Sequence, residues 1–366
     1  MTRDDTTFDA VDRLMRHAVR DGVFPGGVLL VAAGERVVFH RPYGAVDRFG
    51  GPEVTPTTLF DLASLTKPLA TTMAVMRLVQ DGLLDPMRPV ASVLKPFAGG
   101  ARSEVLFSHL LCHTSGLPDW RPYYRELVRR PAGERRHRLR QLLSREPLQA
   151  TPGSRTLYSD LGFMVLCWAL ETITGTRLDH WVAENVYRPA GVEDLFFIPL
   201  DEPAPEMTNR SVAATEQCPW RGRVLRGEVH DDNAHAAGGV EGHAGLFGTA
   251  ASVHRLLADL LRSYRGEPAE GGFEPELVRA FLRRPKDSQR VFGFDVPSGS
   301  ESACGSRFSK DSVGHLGFTG TSFWMDLRKE AIVILLTNRV HPSRDNTVIR
   351  SFRPVVHDAV MKALFP

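Results

Sequence analysis

Two residues near the start of a predicted helix could form a nucleophile and its partner. The stretch FDLASLTKPLA, residues 60–70, contains Ser64 three positions before Lys67. Residues three apart lie on one face of a helix, so the hydroxyl and the amine would be neighbours. Serine needs an adjacent base, which a partly desolvated lysine can supply or stabilise. The spacing therefore predicts a nucleophile at the start of a helix, where free N–H groups could bind an oxyanion.

The same spacing occurs a second time, at Ser92 and Lys95, so it does not identify the nucleophile by itself. Ser64 leads into apolar residues at helical spacing. Ser92 instead lies in DPMRPVASVLKPFAGG, between prolines and after a helix stop. We therefore assign the nucleophile to Ser64. From these residues alone, an ordinary serine at a helix start remains the alternative.

Two later segments carry groups that could serve such a serine. Tyr158, in TLYSDLGFMVL, comes just before a predicted amphipathic helix, and its phenolate could act as a base if Lys67 stabilised it. His315 and Gly317, in VGHLGFTGTSFWMD, lie on a strand-like segment. Because Gly317 has no side chain to block a substrate, a backbone N–H of this segment could complete an oxyanion hole.

The order of these motifs is typical of one protein superfamily. The sequence resembles the β-lactamase and penicillin-binding-protein superfamily of serine hydrolases, in particular its class C β-lactamase and related esterase type. That superfamily carries S-x-x-K, then Y-x-N, then K-T-G or H-x-G. The stretches LLCHTSGLPDW at 110–120 and GHAGLFGTA at 242–250 are also similar to it. The resemblance therefore covers nearly the whole chain.

The resemblance implies a role for each matching residue. Ser64 would be the acylated nucleophile, and Lys67 and Tyr158 would be the pair that transfers its proton. His315 would help to shape the site. The backbone N–H groups of Ser64 and Phe318 would form the oxyanion hole. The resemblance implies no cofactor.

The middle motif departs from the family pattern. It reads Tyr158-Ser159-Asp160, with aspartate where the family usually has asparagine. Because an ionised carboxylate only accepts hydrogen bonds, Asp160 would contact a substrate N–H, hydroxyl or amine. It would also favour a charged Lys67, which shifts the role of base towards Tyr158. Capping of the following helix is the alternative explanation of Asp160.

The third motif departs as well, since it reads His315-Leu316-Gly317 rather than K-T-G. It lacks the lysine cation and the threonine hydroxyl that could hold a β-lactam carboxylate, and histidine is mostly neutral near pH 7. Both departures argue against efficient β-lactam hydrolysis. They favour an esterase, or a peptidase or amidase acting on small acyl or cell-wall-derived substrates.

A segment rich in histidine and aspartate, GEVHDDNAHAAGGVEGHAGLFG at 227–248, could in principle bind a metal. It contains no H-E-x-x-H helix, and its glycines indicate a loop. We therefore predict no metal site and expect a loop beside the cleft, with His230 and Asn233 facing the substrate. Its similarity to relatives that handle muropeptides, the peptide-bearing fragments of peptidoglycan, suggests that substrate class.

These features predict a serine hydrolase that forms an acyl-enzyme on a small ester, amide or peptide, including muropeptides, with weak or absent β-lactam hydrolysis. The alternative from another class is a non-catalytic binding or regulatory protein that holds a peptide or muropeptide in the same cleft. G-x-S-x-G, P-loop and dinucleotide-binding motifs are absent from the sequence, which argues against α/β-hydrolase, nucleotide and NAD chemistry.

The two chain ends supply the elements that must position these groups. GGVLLVAAG and RVVFHRPYG flank a turn at 34–35, and TSFWMDL and AIVILLTN flank one at 328–329, so each pair predicts a β-hairpin. Helical patterns precede the first hairpin and follow the second. We expect an α/β (α+β) fold of the β-lactamase type, whose antiparallel sheet combines N- and C-terminal strands and is flanked by helices.

The middle of the chain is mostly helix and loop. We expect a discontinuous domain, 1–70 with 295–366, and a mostly helical insertion lobe, 71–294, with the site in the cleft between them. Within the chain, the region 270–310 is rich in Gly, Pro and Ser and is predicted to be irregular.

Composition limits the partners. The 366 residues carry a net charge of +2 and a hydrophobic fraction of 42%, which suits one large or two ordinary domains and no polyanionic partner. The basic run RRPAGERRHRLRQLL lacks interleaved aromatics and is expected to be a solvated helix face, so nucleic-acid binding is not predicted. No signal-peptide or membrane-length apolar run occurs, so we expect a cytoplasmic protein without membrane contact. The oligomeric state cannot be predicted.

Overall fold

The computed structural model describes residues 5–202, 210–284, 290–299 and 302–366. The α-helices in these ranges are α1 (Asp9–Arg20), α2 (Met73–Gln80), α3 (Phe107–Leu111), α4 (Tyr124–Leu127), α5 (Ala132–Arg145), α6 (Asp160–Thr174), α7 (Leu178–Val182), α8 (Asp232–Ala236), α9 (Ala250–Arg265), α10 (Pro275–Leu282) and α11 (Ile349–Leu364). The strands are β1 (Gly26–Ala33), β2 (Arg36–Gly44), β3 (Phe60–Asp61), β4 (Leu195–Phe197), β5 (Gln217–Cys218), β6 (Arg223–Val224), β7 (Leu246–Gly248), β8 (Ser312–Leu316), β9 (Ser322–Asp326) and β10 (Ala331–Thr337).

Strands from both chain ends build one antiparallel sheet, in the order β2-β1-β10-β9-β8. β10 lies at its centre and pairs with β1, with Gly27 opposite Thr337 and Ala33 opposite Ala331. One hairpin joins β1 to β2 and another joins β9 to β10, at the two predicted turns. The predicted fold, an antiparallel sheet of N- and C-terminal strands flanked by helices, is therefore confirmed.

Both faces of the sheet are buried. Along β1, Val28 and Leu30 belong to the core shared with the central helices, whereas Leu29 and Val31 belong to the core formed with α1 and α11. Successive side chains of a strand point to opposite faces. An uninterrupted apolar run such as GGVLLVAA is therefore what a strand covered on both sides requires.

The helices lie largely where the apolar stripes predict them. α2 follows Ser64, and α6 follows Tyr158 and ends at Gly175, which has a φ of +68°. The region 270–310 is less irregular than predicted, because α10 begins there with a proline in its first turn and buries an apolar face. Residues 285–289 and 300–301 of that region lie outside the described residues. No helix within the described ranges is both long enough and apolar enough to cross a bilayer.

A second, small sheet links the middle of the chain to the segment before Ser64. Its order is β3-β7-β4, and Phe60 of β3 pairs with Gly248 of β7. The residues leading to Ser64 are thereby fixed against the segment that follows the loop at 230–243. The division of the chain into 1–70 with 295–366 and a 71–294 lobe remains a prediction.

Candidate active site

Ser64 lies in a tight turn that a strained residue precedes. A 3-10 turn covers Ala63–Leu65, and a π-helix, Lys67–Thr72, leads from it into α2. Ala63 has a φ of +49°, a conformation that is uncommon for non-glycine residues and that clusters at functional sites. The carboxylate of Asp61 accepts the Ala63 N–H at 2.8 Å and so holds this turn. Ser64 itself remains partly exposed.

The ammonium of Lys67 has three acceptors around it. Its Nζ lies 3.0 Å from Ser64 Oγ, 2.7 Å from Asp160 Oδ1 and 3.3 Å from the carbonyl oxygen of His243. A lysine ammonium offers three donors and no acceptor, so these contacts account for all of its protons. The Lys67 side chain is fully buried. The arrangement is that of a charged lysine donating to the serine oxygen.

Both members of the predicted proton-transfer pair have shifted pKa values. Burial works against the charge of Lys67, but the Asp160 carboxylate and the Tyr158 hydroxyl outweigh it and raise the pKa of Lys67 above its usual value. Burial raises the pKa of Tyr158, and Asp160 adds to this effect, whereas Lys67 opposes it. Both groups therefore carry their protons near pH 7.

Tyr158 is held between two histidines. The ring centroids of His113 and His315 lie 4.5 and 5.9 Å from that of Tyr158. His113, with a φ of +58°, accepts the Ser159 N–H on Nδ1 at 2.9 Å. These contacts fix the phenol beside the lysine, whose Nζ lies 4.7 Å from the Tyr158 ring centroid.

Asp160 does not cap the helix that it begins. Ser159 has that role, because its Oγ accepts the Gly162 N–H at 3.2 Å. The Asp160 side chain pairs instead with Lys67 and stays 18% exposed. Of the two explanations of Asp160, the partner of a charged lysine fits the geometry and the helix cap does not.

The turn after β8 is bonded to the segment before the serine. Thr319 Oγ1 donates to the Asp61 carbonyl oxygen at 2.7 Å, and Thr321 Oγ1 donates to the Leu62 carbonyl oxygen at 3.0 Å. A Cβ atom at Gly317 would collide with Thr321 Oγ1 and with the Leu62 carbonyl oxygen. Glycine at 317 therefore permits the close approach of the two segments.

Phe318 follows in the same turn and is 47% exposed. Arg339 lies 4.5 Å from its ring centroid and donates to its carbonyl oxygen at 2.8 Å, and the ring of His230 stacks on it at 5.6 Å. Within the described ranges, no hydrogen-bond acceptor engages the N–H of Phe318 or of Ser64. These two N–H groups lie on the segments that the turn brings together, and such a pair is what an oxyanion hole needs.

His315 supplies no positive charge. Burial lowers the pKa of His315 to about 4, so the ring is neutral at pH 7, and its Nδ1 donates to the Leu316 carbonyl oxygen at 2.9 Å. A cation nevertheless lies on this side of the site. The guanidinium of Arg290 is 5.2 Å from the Tyr158 ring centroid and forms an ion pair with Asp295.

Two loop residues that were expected to face the substrate have structural contacts. The His230 N–H donates to Asp61 Oδ2 at 2.6 Å, and its Nε2 is 3.2 Å from Glu216. Asn233 is fully buried, and its amide group bonds the backbone of Arg121 and Tyr124, each at 2.8 Å. His230 thus supports the turn at Phe318 from behind, while Asn233 anchors the segment at 121–124.

The loop contributes a further charge pair close to Lys67. His243 Nε2 lies 2.9 Å from Asp231 Oδ1, and the ligand atoms of Asp160, Asp231 and His243 all lie within 4.8 Å of one another. The carboxylate of Asp160 is already paired with the Lys67 ammonium, so a metal ion bound there would have to displace the ammonium. The geometry is that of a network in which the Lys67 ammonium and the His243 ring are each paired with a carboxylate.

The second S-x-x-K stretch is not assembled into a site. Ser92 is exposed, and its Oγ donates to the Pro89 carbonyl oxygen at 2.7 Å. Lys95 is also exposed and belongs to a separate 3-10 turn, Lys95–Phe97.

Several residues that organise the site were not singled out from the sequence. Asp61, whose two carboxylate oxygens join the turn before Ser64 to the loop at His230, carries the signal of an acid three positions before the serine. Arg290 and Arg339 have no such signal, since they are two among many arginines and reach the site only through the fold.

Known proteins resemble this chain in sequence and in fold. The family model described as Beta-lactamase matches residues 11–353. A protein named "Putative D-alanyl-D-alanine carboxypeptidase" from Escherichia coli O157:H7 is 30% identical over 363 residues, which cover 90% of this chain and 82% of the relative. "N-acetylmuramyl-L-alanine amidase" from Bacillus subtilis (strain 168) is 31% identical over 363 residues, with 90% and 80% covered.

A solved structure gives the same result for the fold. The structure described as "EstCE1, a hydrolase with promiscuous acyltransferase activity" superposes with a TM-score of 0.74 at 23% identity, and covers 98% of this chain and 99% of that chain. At this identity the likeness concerns the fold. Together with the match over 11–353, these findings confirm the resemblance, and the chain belongs to the β-lactamase family of penicillin-binding-protein-like hydrolases.

Proposed function

We propose that the protein is a serine hydrolase of the class C β-lactamase and esterase type, which forms an acyl-enzyme at Ser64 on an ester, amide or peptide. The observation that carries this proposal is the 3.0 Å contact between the buried ammonium of Lys67 and the oxygen of Ser64. A buried charge is costly unless it is paired. Its maintenance beneath a partly exposed hydroxyl supports a catalytic role.

The proposed chemistry begins with attack of Ser64 Oγ on the substrate carbonyl. The Oγ–C bond forms, the carbonyl π electrons move to oxygen, and the serine proton passes to the Lys67–Tyr158 pair. Because both members of the pair hold protons at rest, the pair must first lose one. Asp160, 2.7 Å from Lys67 Nζ, is an acceptor within reach. The intermediate then collapses: the bond to the leaving group breaks, and that group takes the proton from the pair. Water next attacks the acyl carbonyl and gives a proton to the pair, and the Oγ–C bond breaks as Ser64 Oγ regains a proton.

The negative oxygen of the intermediate would be bound by the N–H groups of Ser64 and Phe318. Both N–H groups lack an acceptor within the described ranges, which supports this role. The clamp between the Thr319 and Thr321 hydroxyls and the carbonyls before the serine supports it as well. Removal of one such donor typically costs about 10²–10³ in kcat.

We propose peptide or muropeptide amides as the substrates, with β-lactams poor or inert. Two relatives are named "Putative D-alanyl-D-alanine carboxypeptidase" and "N-acetylmuramyl-L-alanine amidase", and both names describe cleavage of an amide bond. The neutral His315 stands where K-T-G would supply a cation for a β-lactam carboxylate. Partners other than the substrate are not proposed.

Hydrolysis of a chromogenic short-chain ester tests the nucleophile. We expect Ser64→Ala to abolish the activity and to keep the circular dichroism spectrum and melting temperature of the wild type. Ser92→Ala is the matched control, because Ser92 has the same motif spacing and is exposed. Loss of activity in Ser92→Ala, or full activity in Ser64→Ala, would contradict the assignment.

Covalent labelling separates the enzyme from a binding protein. A fluorophosphonate should add one adduct, seen by intact mass, which disappears in Ser64→Ala. Reversible binding of a muropeptide without any adduct, and without turnover of esters or amides, would support the non-catalytic alternative instead. A screen of D-amino-acid peptides, muropeptides, esters and cephalosporins then identifies the substrate class.

A further inference from the structure

We propose that His243 and Asp231 form a positioning pair for acylation, which holds the Lys67 ammonium in register with Ser64 and Asp160. The inference rests on the proposed function of Ser64. His243 does not touch the serine. It acts through its own carbonyl oxygen, 3.3 Å from Lys67 Nζ, while its ring is fixed by Asp231 at 2.9 Å.

The segment around His243 is bonded to the nucleophile's helix at several points. Gly242 O accepts from Thr71 Oγ1 at 2.7 Å, and the Leu246 N–H donates to Thr66 Oγ1 at 3.1 Å. These bonds hold the chain on either side of His243, and the His243–Asp231 contact fixes the residue between them. Only 1% of the His243 side chain is exposed, and 23% of Asp231.

The charges that face His243 come from several elements. Asp231 lies at the start of α8, Asp160 at the start of α6, and Lys67 on the π-helix. Within its own segment, Glu241 is buried nearby, and His230 is close to Asp231 on the other side. Burial lowers the pKa of His243, but Asp231 and Asp160 outweigh this effect and raise it, with Lys67 opposing. The Asp231 carboxylate is thus the neighbouring charge that acts most strongly on the His243 ring.

This arrangement has an electrical consequence for the reaction. Asp160 raises the pKa of Lys67, and it can do so only while the ammonium stays beside it, 2.7 Å away. The His243 carbonyl oxygen helps to hold the ammonium there. The pair therefore keeps Lys67 where both Ser64 and Asp160 can act on it.

The test uses substitutions that keep the shape and remove the charge. Asp231→Asn retains a good helix cap for α8, and His243→Gln retains a hydrogen-bond donor. We expect each to lower kcat for the ester about 10- to 100-fold with little change in KM, because a displaced catalytic group slows the chemical step. The double variant should lose no more than either single variant, since the two residues act as one unit.

The pH profile distinguishes positioning from simple loss of structure. In His243→Gln the rising limb of kcat/KM should move to lower pH, because a Lys67 ammonium held less firmly beside Asp160 loses part of the interaction that raises its pKa. A variant that is merely less stable would have a lower kcat/KM at every pH, and the pH of its rising limb would not change. His235→Gln is the matched control, since His235 is in the same loop and pairs with Glu228, 3.3 Å away. It should behave as the wild type does.

Three results would overturn the pair. They are a wild-type kcat in either single variant, an unmoved limb in His243→Gln, and a stoichiometric divalent metal in dialysed protein whose chelation abolishes activity. Failure of the proposed function is recognised separately, because then the wild type itself shows no Ser64-dependent ester turnover or fluorophosphonate adduct.

Discussion

At the scale of single residues, Asp160 is the departure with the largest chemical consequence. Its carboxylate lies 2.7 Å from a buried ammonium and raises the pKa of Lys67 and the pKa of Tyr158. A general base works only in its deprotonated form. The activity should therefore rise with pH, as the Lys67–Tyr158 pair loses a proton.

Asp160→Asn should move this rising limb to lower pH. The amide cannot hold the positive charge of Lys67 as the carboxylate does, so the pKa of Lys67 and that of Tyr158 both fall. An opposite charge at this distance commonly shifts a pKa by about 1 unit or more. The measurement is kcat/KM for the ester between pH 5 and pH 10.

Asp119→Asn is the control, because it removes the same charge from an exposed neighbour whose carbonyl oxygen bonds the Asp160 N–H at 2.9 Å. Its limb should coincide with that of the wild type. An unchanged limb in Asp160→Asn would show that Asp160 does not control the proton of the pair.

Some residues of the candidate site can be predicted from the sequence, and others cannot. Ser64, Lys67 and Tyr158 could be proposed as site residues because each belongs to a short motif with its own spacing. His243 and Asp231 were noticed only as members of a polar cluster. Their pairing depends on the path of the glycine-containing loop between positions 231 and 243. A local sequence pattern does not predict that path.

At the scale of elements, the site is a junction between the β8–β9 turn and the turn at Ser64. Each turn contains a position with little freedom, Ala63 with its positive φ and Gly317 with no room for a side chain. The hairpins could be predicted from alternating apolar runs bounded by turn residues. The π-helix could not, because the same apolar stripe fits an α-helix equally well.

Gly317→Ala should reduce both stability and ester hydrolysis. The added methyl collides with Thr321 Oγ1 and with the Leu62 carbonyl oxygen, so the turn must move away from Ser64. Overpacking of this kind costs about 1–3 kcal/mol of unfolding free energy. Chemical denaturation and kcat are the measurements.

Gly133→Ala serves as the matched control. Position 133 lies in α5, and a Cβ there meets no atom within 4 Å. Alanine in a helix should be neutral or stabilising by up to about 1 kcal/mol. If Gly317→Ala matched Gly133→Ala in stability and activity, the close approach of the two turns would not matter.

The region 270–310 shows the limit of composition as a guide to elements. Its content of Gly, Pro and Ser predicts irregular chain, yet α10 forms there. Proline at the start of a helix is tolerated because the first N–H groups have no partner in any case. Burial of one apolar face then decides the conformation, and that burial depends on packing against distant elements.

At the scale of the whole molecule, several buried histidines make folding sensitive to acid. Burial lowers the pKa of His254, His315 and His357 to about 4 each. In the unfolded chain they titrate near their ordinary value of 6.5. The unfolded state therefore binds more protons between these two pH values, and protonation favours unfolding.

These three histidines should consequently make the melting temperature fall as the pH is lowered from about 6.5 towards 4. Each such histidine contributes a slope of roughly 1 kcal/mol per pH unit in that window. Differential scanning calorimetry in matched ionic strength measures it. His357→Gln should flatten the slope, whereas His17→Gln, on exposed α1 surface, should leave it unchanged. A melting temperature independent of pH from 7 to 4.5 would contradict the neutral burial of these rings.

The central pairing of β1 with β10 has a consequence for synthesis. A ribosome makes Ser64 early and makes Phe318, which we propose as its partner in the oxyanion hole, late. The first hairpin can pair with β10 only when that last strand emerges. The nascent protein should thus remain silent until nearly all of it has left the exit tunnel. Fluorophosphonate labelling of stalled chains would then begin abruptly at full length, a delay that would keep a reactive alcohol from acting before its selectivity exists.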